Sequence, residues 1–470
     1  MPLWLICLAA WLTFAAVVGR AADCRDQKKP QSEQPADGVP ASAEPQPCSW
    51  YVPTSIRSTR RIPETPAYVR QFENPGWLDL GLQQRSRFES IENTYLLERL
   101  DSSHFPLRSR FFFGIREILD PFRAALELQD SSQLGGQIPD NPATDNELDF
   151  LQFYGELHWA NFAGLNRLLR LRVGRHSFDS VDRRLVSRSG YRNTTNNFDG
   201  VRLKIGESAD DWELEVFSLW PVIREIETLD TPDRSRNLLG LNAAWRRWRV
   251  GTLEPYYLFL HQDAGDRAPL GRSVHTVGMH LYGPIAGSRF DYDLDSAFQW
   301  GKEGSLDRRA QAWHAELGYT FEHDWKPRAA LWFNYASGEN PDDDRIQRFD
   351  SLFGSSSTFY SYAGLFGWQN MVNPTLHVSL KPGSFGLNFF YRAYWLANSK
   401  DAFIRARLHD PTGQSGSFVG QAFEFSFRRA LKRYLTLDLR YSHFFPGSFV
   451  EKQGPAPQSD LVSVWLTFRP

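Results

Sequence analysis

From about Gly76 to its last residue this chain alternates polar and apolar side chains in short runs, each closed by Gly, Asp, Asn or Pro. Side chains of a strand point to opposite faces at a period of two, so each run makes one polar and one apolar face. In 291–300, Asp291, Asp293, Asp295, Ala297 and Gln299 interleave with Tyr292, Leu294, Ser296, Phe298 and Trp300. Phe423, Phe425 and Phe427 interleave with Glu424, Ser426 and Arg428, and Leu435, Leu437, Leu439 and Tyr441 with Thr436, Asp438, Arg440 and Ser442. No sustained helical period appears. Beyond the first residues no stretch approaches the roughly 18 apolar residues that a membrane helix needs.

A soluble sandwich turns its apolar faces inward, whereas a membrane barrel turns them outward and lines its lumen with the polar faces. Three features favour the barrel. The runs reach about 10 residues, the length of a tilted membrane strand. Aromatics fall at run ends (Trp159, Trp220, Trp300, Phe321, Phe468), where an interfacial girdle belongs. The polar faces also carry full charges of both signs. Between a first segment at 82–92 and a last at 460–468 we count about 18, an even number within the bacterial range. The fold expected is an all-β, transmembrane antiparallel β-barrel. The two longest gaps, around 177–198 and 338–373, exceed ordinary turns and are expected to be functional loops.

Met1–Val18 is an apolar run followed by Gly19-Arg20-Ala21-Ala22, which reads as a secretory signal over 1–22. Residues 23–78 are rich in Pro, Gln, Ser and charge, with too few apolar side chains to bury, and are expected to be a mostly disordered periplasmic segment. The barrel is expected over 79–470. Cys24 and Cys48 are able to pair in an oxidising compartment. Lys+Arg 53 against Asp+Glu 55 leaves no charge excess to suggest nucleic acid.

Leu171-Arg172-Val173-Gly174-Arg175-His176 is followed by Asp182-Arg183-Arg184-Leu185-Val186, Tyr191-Arg192-Asn193 and Phe198-Asp199-Gly200-Val201-Arg202. A second cluster is Arg348-Phe349-Asp350-Ser351-Leu352-Phe353, then Gly364 and Trp368-Gln369-Asn370; a third is Gln84-Arg85-Ser86-Arg87-Phe88-Glu89. In this order the motifs resemble the alginate-export family of outer-membrane porins, from roughly Leu80 to the C-terminus. His176 stands where family members often carry Gln or Glu. The resemblance implies a monomeric barrel of 18 strands in the outer membrane of a Gram-negative cell, in contact with its lipid. It further implies an arginine-lined pore for a uronate polymer and periplasmic export partners. Gly174, Asp182, Asn193, Phe198 and Asp199 are the motif positions that would shape it.

A polymer with one carboxylate per sugar needs fixed cations at close spacing, and guanidinium stays ionised and grips carboxylate through two hydrogen bonds. Each grip must be weak and repeated for the chain to move on. Strand parity puts Arg85, Arg87, Arg110, Arg172, Arg202, Arg392 and Arg440 on polar faces, and Arg175, Arg184 and Arg192 in or beside the long 177–198 gap. Each is a candidate for the substrate path, with pairing to a lumen carboxylate as the competing role. Asp291, Asp293 and Asp295 would oppose a polyanion and are expected to be charge-pair partners. A passive porin for small organic acids would use the same arginines. A secreted all-β carbohydrate enzyme or lectin would share the alternation, but no G-x-S-x-G, H-E-x-x-H or Walker-type loop occurs. No enzyme activity, cofactor or metal site is therefore expected.

Overall fold

The computed structural model describes residues 65–470 apart from 74, 99, 137–140, 249, 266–267 and 358. The expected signal peptide, Cys24, Cys48 and most of the 23–78 segment lie outside the described residues. Residues 65–78, expected within that segment, are part of the fold.

Alternating runs become strands wherever the sequence marked them. The hairpins are β1 Leu78–Glu92 with β2 Ser102–Ile115, β3 Phe122–Gly135 with β4 Asn146–Trp159, and β5 Leu169–His176 with β6 Phe198–Ile205. Next come β7 Trp212–Ile223 with β8 Arg236–Trp248, β9 Gly251–Gln262 with β10 Arg272–Pro284, and β11 Phe290–Glu303 with β12 Leu306–Thr320. The last are β13 Arg328–Ala336 with β14 Met371–Leu380, β15 Phe385–Trp395 with β16 Phe418–Lys432, and β17 Leu435–Pro446 with β18 Ser459–Phe468. Each pairs antiparallel with its chain neighbours, and β1 pairs with β18 from Gln84↔Phe468 to Glu92↔Asp460, closing an 18-stranded barrel. Three short strands, Val69–Gln71, Thr231–Pro232 and Arg345–Ile346, decorate it.

Closure pairs the first strand with the last and so removes the free edge along that seam, which is what a strand structure needs inside lipid. Leu331, Phe153 and Phe423 stand 66%, 63% and 53% exposed on the outer face, while Glu424 and Gln152, their strand neighbours, are buried in the lumen. An outward apolar surface beside an inward charged one is the inverse of a soluble protein. Trp159, Trp300, Phe321 and Phe468 are exposed at or near strand ends. Short connections such as 433–434 gather at one end, and the long ones, 177–197, 337–370 and 396–417, at the other.

Not all of the lumen is polar. At the loop end, Phe217, Leu219, Leu238, Leu258, Leu260 and Val274 point inward and join one buried cluster with Phe178, Val186, Phe359, Tyr360 and Trp368. The 177–197 and 337–370 loops have folded into the barrel and carry their own apolar side chains with them. Burying each such side chain is worth about 1.5–3 kcal/mol, which offsets the ordering of two long loops. The loops are also zipped together: Phe353 N–H donates to the Leu185 carbonyl (2.8 Å) and Ser187 N–H to that of Phe353 (3.2 Å).

Candidate functional site

The first loop enters the barrel through a pair of glycines. Gly174 and Gly200 are register partners across β5 and β6, with φ of 130° and 150°. A β-carbon on either would stand 2.4 Å from the Phe153 carbonyl oxygen or 2.2 Å from that of Ser218, so only glycine fits both backbones. Past them, His176 and Phe198 are fully buried, and Phe198 packs edge-on to Phe178 and Phe353.

Deeper in, the loop rests on a wall of arginines. β1 and β2 present Arg85, Arg87, Arg108 and Arg110 inward at period-two spacing, all buried. Arg85 donates to the carbonyls of Gly190 and Arg192 (both 2.9 Å) and to Asn193 Oδ1 (3.1 Å). Arg87 donates to the Tyr191 carbonyl (2.7 Å) and lies 3.5 Å from Glu89. Arg110 donates to Gln129 (2.8 Å) and to Thr195. Asn193 in turn donates to the carbonyls of Leu107, Ser132 and Thr144 at 2.9 to 3.0 Å, fixing the loop to the wall. Arg440 of β17 completes this side, boxed by the rings of Tyr362, Trp465 and Tyr191 at 4.7, 4.7 and 5.1 Å. Trp465 also faces Arg85 and Arg87 at 5.1 and 5.2 Å. Among the described residues no carboxylate lies within ion-pair distance of Arg85, Arg192 or Arg440.

Other candidate arginines have fixed counterions. Arg172 meets Glu156 at 2.5 Å and Arg202 meets Glu215 at 3.1 Å. Arg392, wholly buried, donates to Glu424 (2.8 Å) and to the Phe359 carbonyl (2.9 Å), which ties the second loop to β15 and β16. Arg184 holds Asp182 at 2.5 Å, reaches the Tyr360 hydroxyl at 3.1 Å and lies over Phe359, joining the two loops. Arg175 sits apart. It shares the outward parity of exposed Val173 and is clamped by Asp199 (2.8 and 3.1 Å), Asp149 (3.4 Å) and the Asp230 carbonyl (2.9 Å) at the loop-end rim.

Across the lumen the aspartates are paired. Asp291 accepts from Arg328 (3.0 Å), which also donates to Glu316 (2.7 Å). Asp293 faces His280 (3.1 Å), whose other ring nitrogen meets Glu254 (2.9 Å). Asp295 accepts from the Tyr256 hydroxyl (3.0 Å) and lies 4.0 Å from Arg184.

Above the loops lies a cavity of about 550 Å³, lined by Arg87, Arg192, Arg224, Arg236 and Arg405 against the single carboxylate of Glu89. Glu89 is itself engaged by Arg87, His104 and the Tyr191 hydroxyl. Burial, with Arg224 and Arg405 close by, brings the Arg192 guanidinium down to about 9. Burial also lowers Arg224, which donates to the Pro142 (2.9 Å) and Thr195 (3.4 Å) carbonyls. Like charges gathered in one cavity repel one another, so such a cluster favours a mobile anion between its members. Strand parity gave no access to Arg224 and Arg405. They lie in loops, where no period assigns a face, and only tertiary folding brings them to Arg192.

The family model for alginate export matches residues 76–463. The barrel is similar to the structure of OpdO from Pseudomonas aeruginosa, with a TM-score of 0.57, 13% identity, and coverage of 83% of this chain and 96% of that one. It is also similar to OccAB1 from Acinetobacter baumannii (TM-score 0.56, 10% identity, 85% and 97% covered). OccK11 (OpdR) from Pseudomonas aeruginosa gives 0.53, 13%, 83% and 95%. No curated protein matches the sequence. With a family match over most of its length and a closed barrel with an apolar outer belt, the chain belongs to the alginate-export family of outer-membrane barrel channels.

Proposed function

We propose that this barrel exports an anionic, uronate-type polysaccharide across the outer membrane, by way of the arginines that lack a carboxylate partner. The observation that carries this reading is that Arg85 and Arg440 share one wall of the lumen around Trp465, while Arg192, Arg224 and Arg405 line the cavity above the loops. Arg172, Arg202, Arg328 and Arg392 are each neutralised by a glutamate or aspartate. Charges held by carbonyls and aromatic faces are weak, exchangeable sites, which suits a chain that must slide. Trp465, Tyr191 and Tyr362 beside Arg440 offer ring faces next to the charges, the pairing that a sugar carboxylate needs. Arg175 and Arg184 act at the rim and between the loops, as structural anchors of the pore. Passage outward, and handover from periplasmic proteins, belong to the same proposal.

A second reading, passage of small organic acids, is favoured by the size of the cavity, about 550 Å³, which suits a compact ligand. Current through the protein in a planar bilayer separates the two. Block by oligouronates that strengthens with chain length, and weakens in Arg440→Met, supports the polymer. Block by monomeric acids with no dependence on length assigns the small anion instead. Cation-selective current would overturn both.

A further inference from the structure

The last strand is shorter than the wall it closes. β18 ends at Phe468 opposite Gln84, so the first residues of β1 have no partner from it. Val69–Gln71 fills that gap, pairing Val69↔Gly81, Arg70↔Leu80 and Gln71↔Asp79. Just before it, Tyr68 turns into the lumen, buried against Phe112, Ala125 and Tyr154. Its seat is cut for it: a β-carbon on Gly81 would stand 2.9 Å from Tyr68 Cδ2.

The Tyr68 hydroxyl donates to Glu127. Glu127 is wholly buried, and it is the point where the wall meets the inserted loop. It lies 3.7 Å from Arg188 of the 177–197 loop and 3.9 Å from Arg110, and it accepts from Gln152. Arg110 itself also reaches Thr195 of that loop. A line of contacts thus runs from the segment at the turn end of the barrel, through one phenol and one carboxylate, to the loop that narrows the pore.

We propose that Tyr68 is a positioning residue for transport, and that the 65–72 segment is a latch that sets the 177–197 loop through Glu127 and Arg188. With the phenol in place, Glu127 is held between wall and loop. With it withdrawn, Glu127 loses a donor, Arg188 loses a fixed partner, and the loop is free to shift off the arginine wall. The inference rests on the channel reading above but not on which anion passes, so small-ion current tests it separately.

Arg70 and Leu80 are register partners, and cross-strand neighbours of this kind lie within the span of a disulfide. In a Cys24→Ser, Cys48→Ser background, the pair Arg70→Cys, Leu80→Cys is expected to lock the latch. Oxidised channels should show fewer openings in potassium chloride, and reduction should restore them. Tyr68→Phe, which keeps the ring in its seat, is expected to raise the open population about tenfold, the weight of one hydrogen bond to a charged acceptor. That gain should vanish when Arg188→Met is already present. Equal gating in oxidised, reduced and Tyr68→Phe channels that still migrate as folded barrels would overturn the latch. So would a Tyr68→Phe effect that survives intact beside Arg188→Met.

Discussion

The lumen has two charged walls, and they differ less in residue type than in what neutralises each charge. On the wall of β9 to β13, carboxylates and cations close on each other: Asp291 and Glu316 on Arg328, Glu254 and Asp293 on His280. On the wall of β1, β2 and β17, Arg87 has Glu89 and Arg110 lies near Glu127, but Arg85 is met by carbonyls and Arg440 by aromatic rings. A buried charge whose partner is another side chain is held for structure, since removing either partner strands the other. A charge held by dipoles and ring faces keeps most of its field, which is then available to an anion in transit. On the proposed reading, arginine content alone does not mark a conduction path; the nature of the counterion does.

The sharpest test of that contrast compares stability. Arg328→Met leaves Asp291 and Glu316 without their shared cation and is expected to cost about 3–5 kcal/mol. Arg440→Met removes only ring contacts and should cost about 1–2 kcal/mol. Denaturant unfolding of the purified barrels, followed by gel migration, reads both. Equal losses would erase the distinction between the walls.

Selectivity should move the other way. Removing Arg440 and Arg192 together is expected to lower the anion-over-cation permeability ratio about tenfold at low salt, and less as salt screens the lumen. Asp293→Asn on the paired wall should leave the ratio nearly unchanged. Reversal potentials across a salt gradient measure it.

The rim should also respond to pH. Burial pushes the Asp230 carboxyl at the rim up to about 6. A raised carboxylate contributes stability in its protonated form, present at low pH and lost as pH rises through about 6. Amide exchange in 224–235, corrected for intrinsic rates, should therefore be slower at about pH 5 than at about pH 7.5. An unchanged rate would show that Asp230 does not hold this loop. The smallest effect is expected at Arg428, which lies 3.5 Å from Asp438 with a side chain 61% exposed. Arg428→Ala should change stability by no more than about 1 kcal/mol, because water already screens the pair.

Much of this molecule was legible in the order of its residues. The alternation in 291–300 placed three aspartates inward and Trp300 outward, and the barrel does the same. The gaps near 177–198 and 338–373 marked the two loops that fill the lumen. Their motifs are the residues that seat them: Asn193 on the wall, Asp182 with Arg184, and Phe353 on Leu185. The rule that the inner face is polar fails at Phe217, Leu219, Leu238, Leu258, Leu260 and Val274, where the loops bring apolar partners inside.

The sequence by itself determined strands, faces and loop positions, because a period of two and the length of a gap are local properties of a chain. The partner of each charge was decided only by tertiary structure. Arg85 and Arg392 read alike on their strands and both reach a loop carbonyl, yet only Arg392 also meets a carboxylate, that of Glu424. Arg175 follows the same motif glycine as the loop but faces the rim. Which partner a guanidinium finds depends on the strands beside it and on how two long loops fold between the walls, as with Arg85 and the Gly190 carbonyl, and no periodicity encodes that meeting.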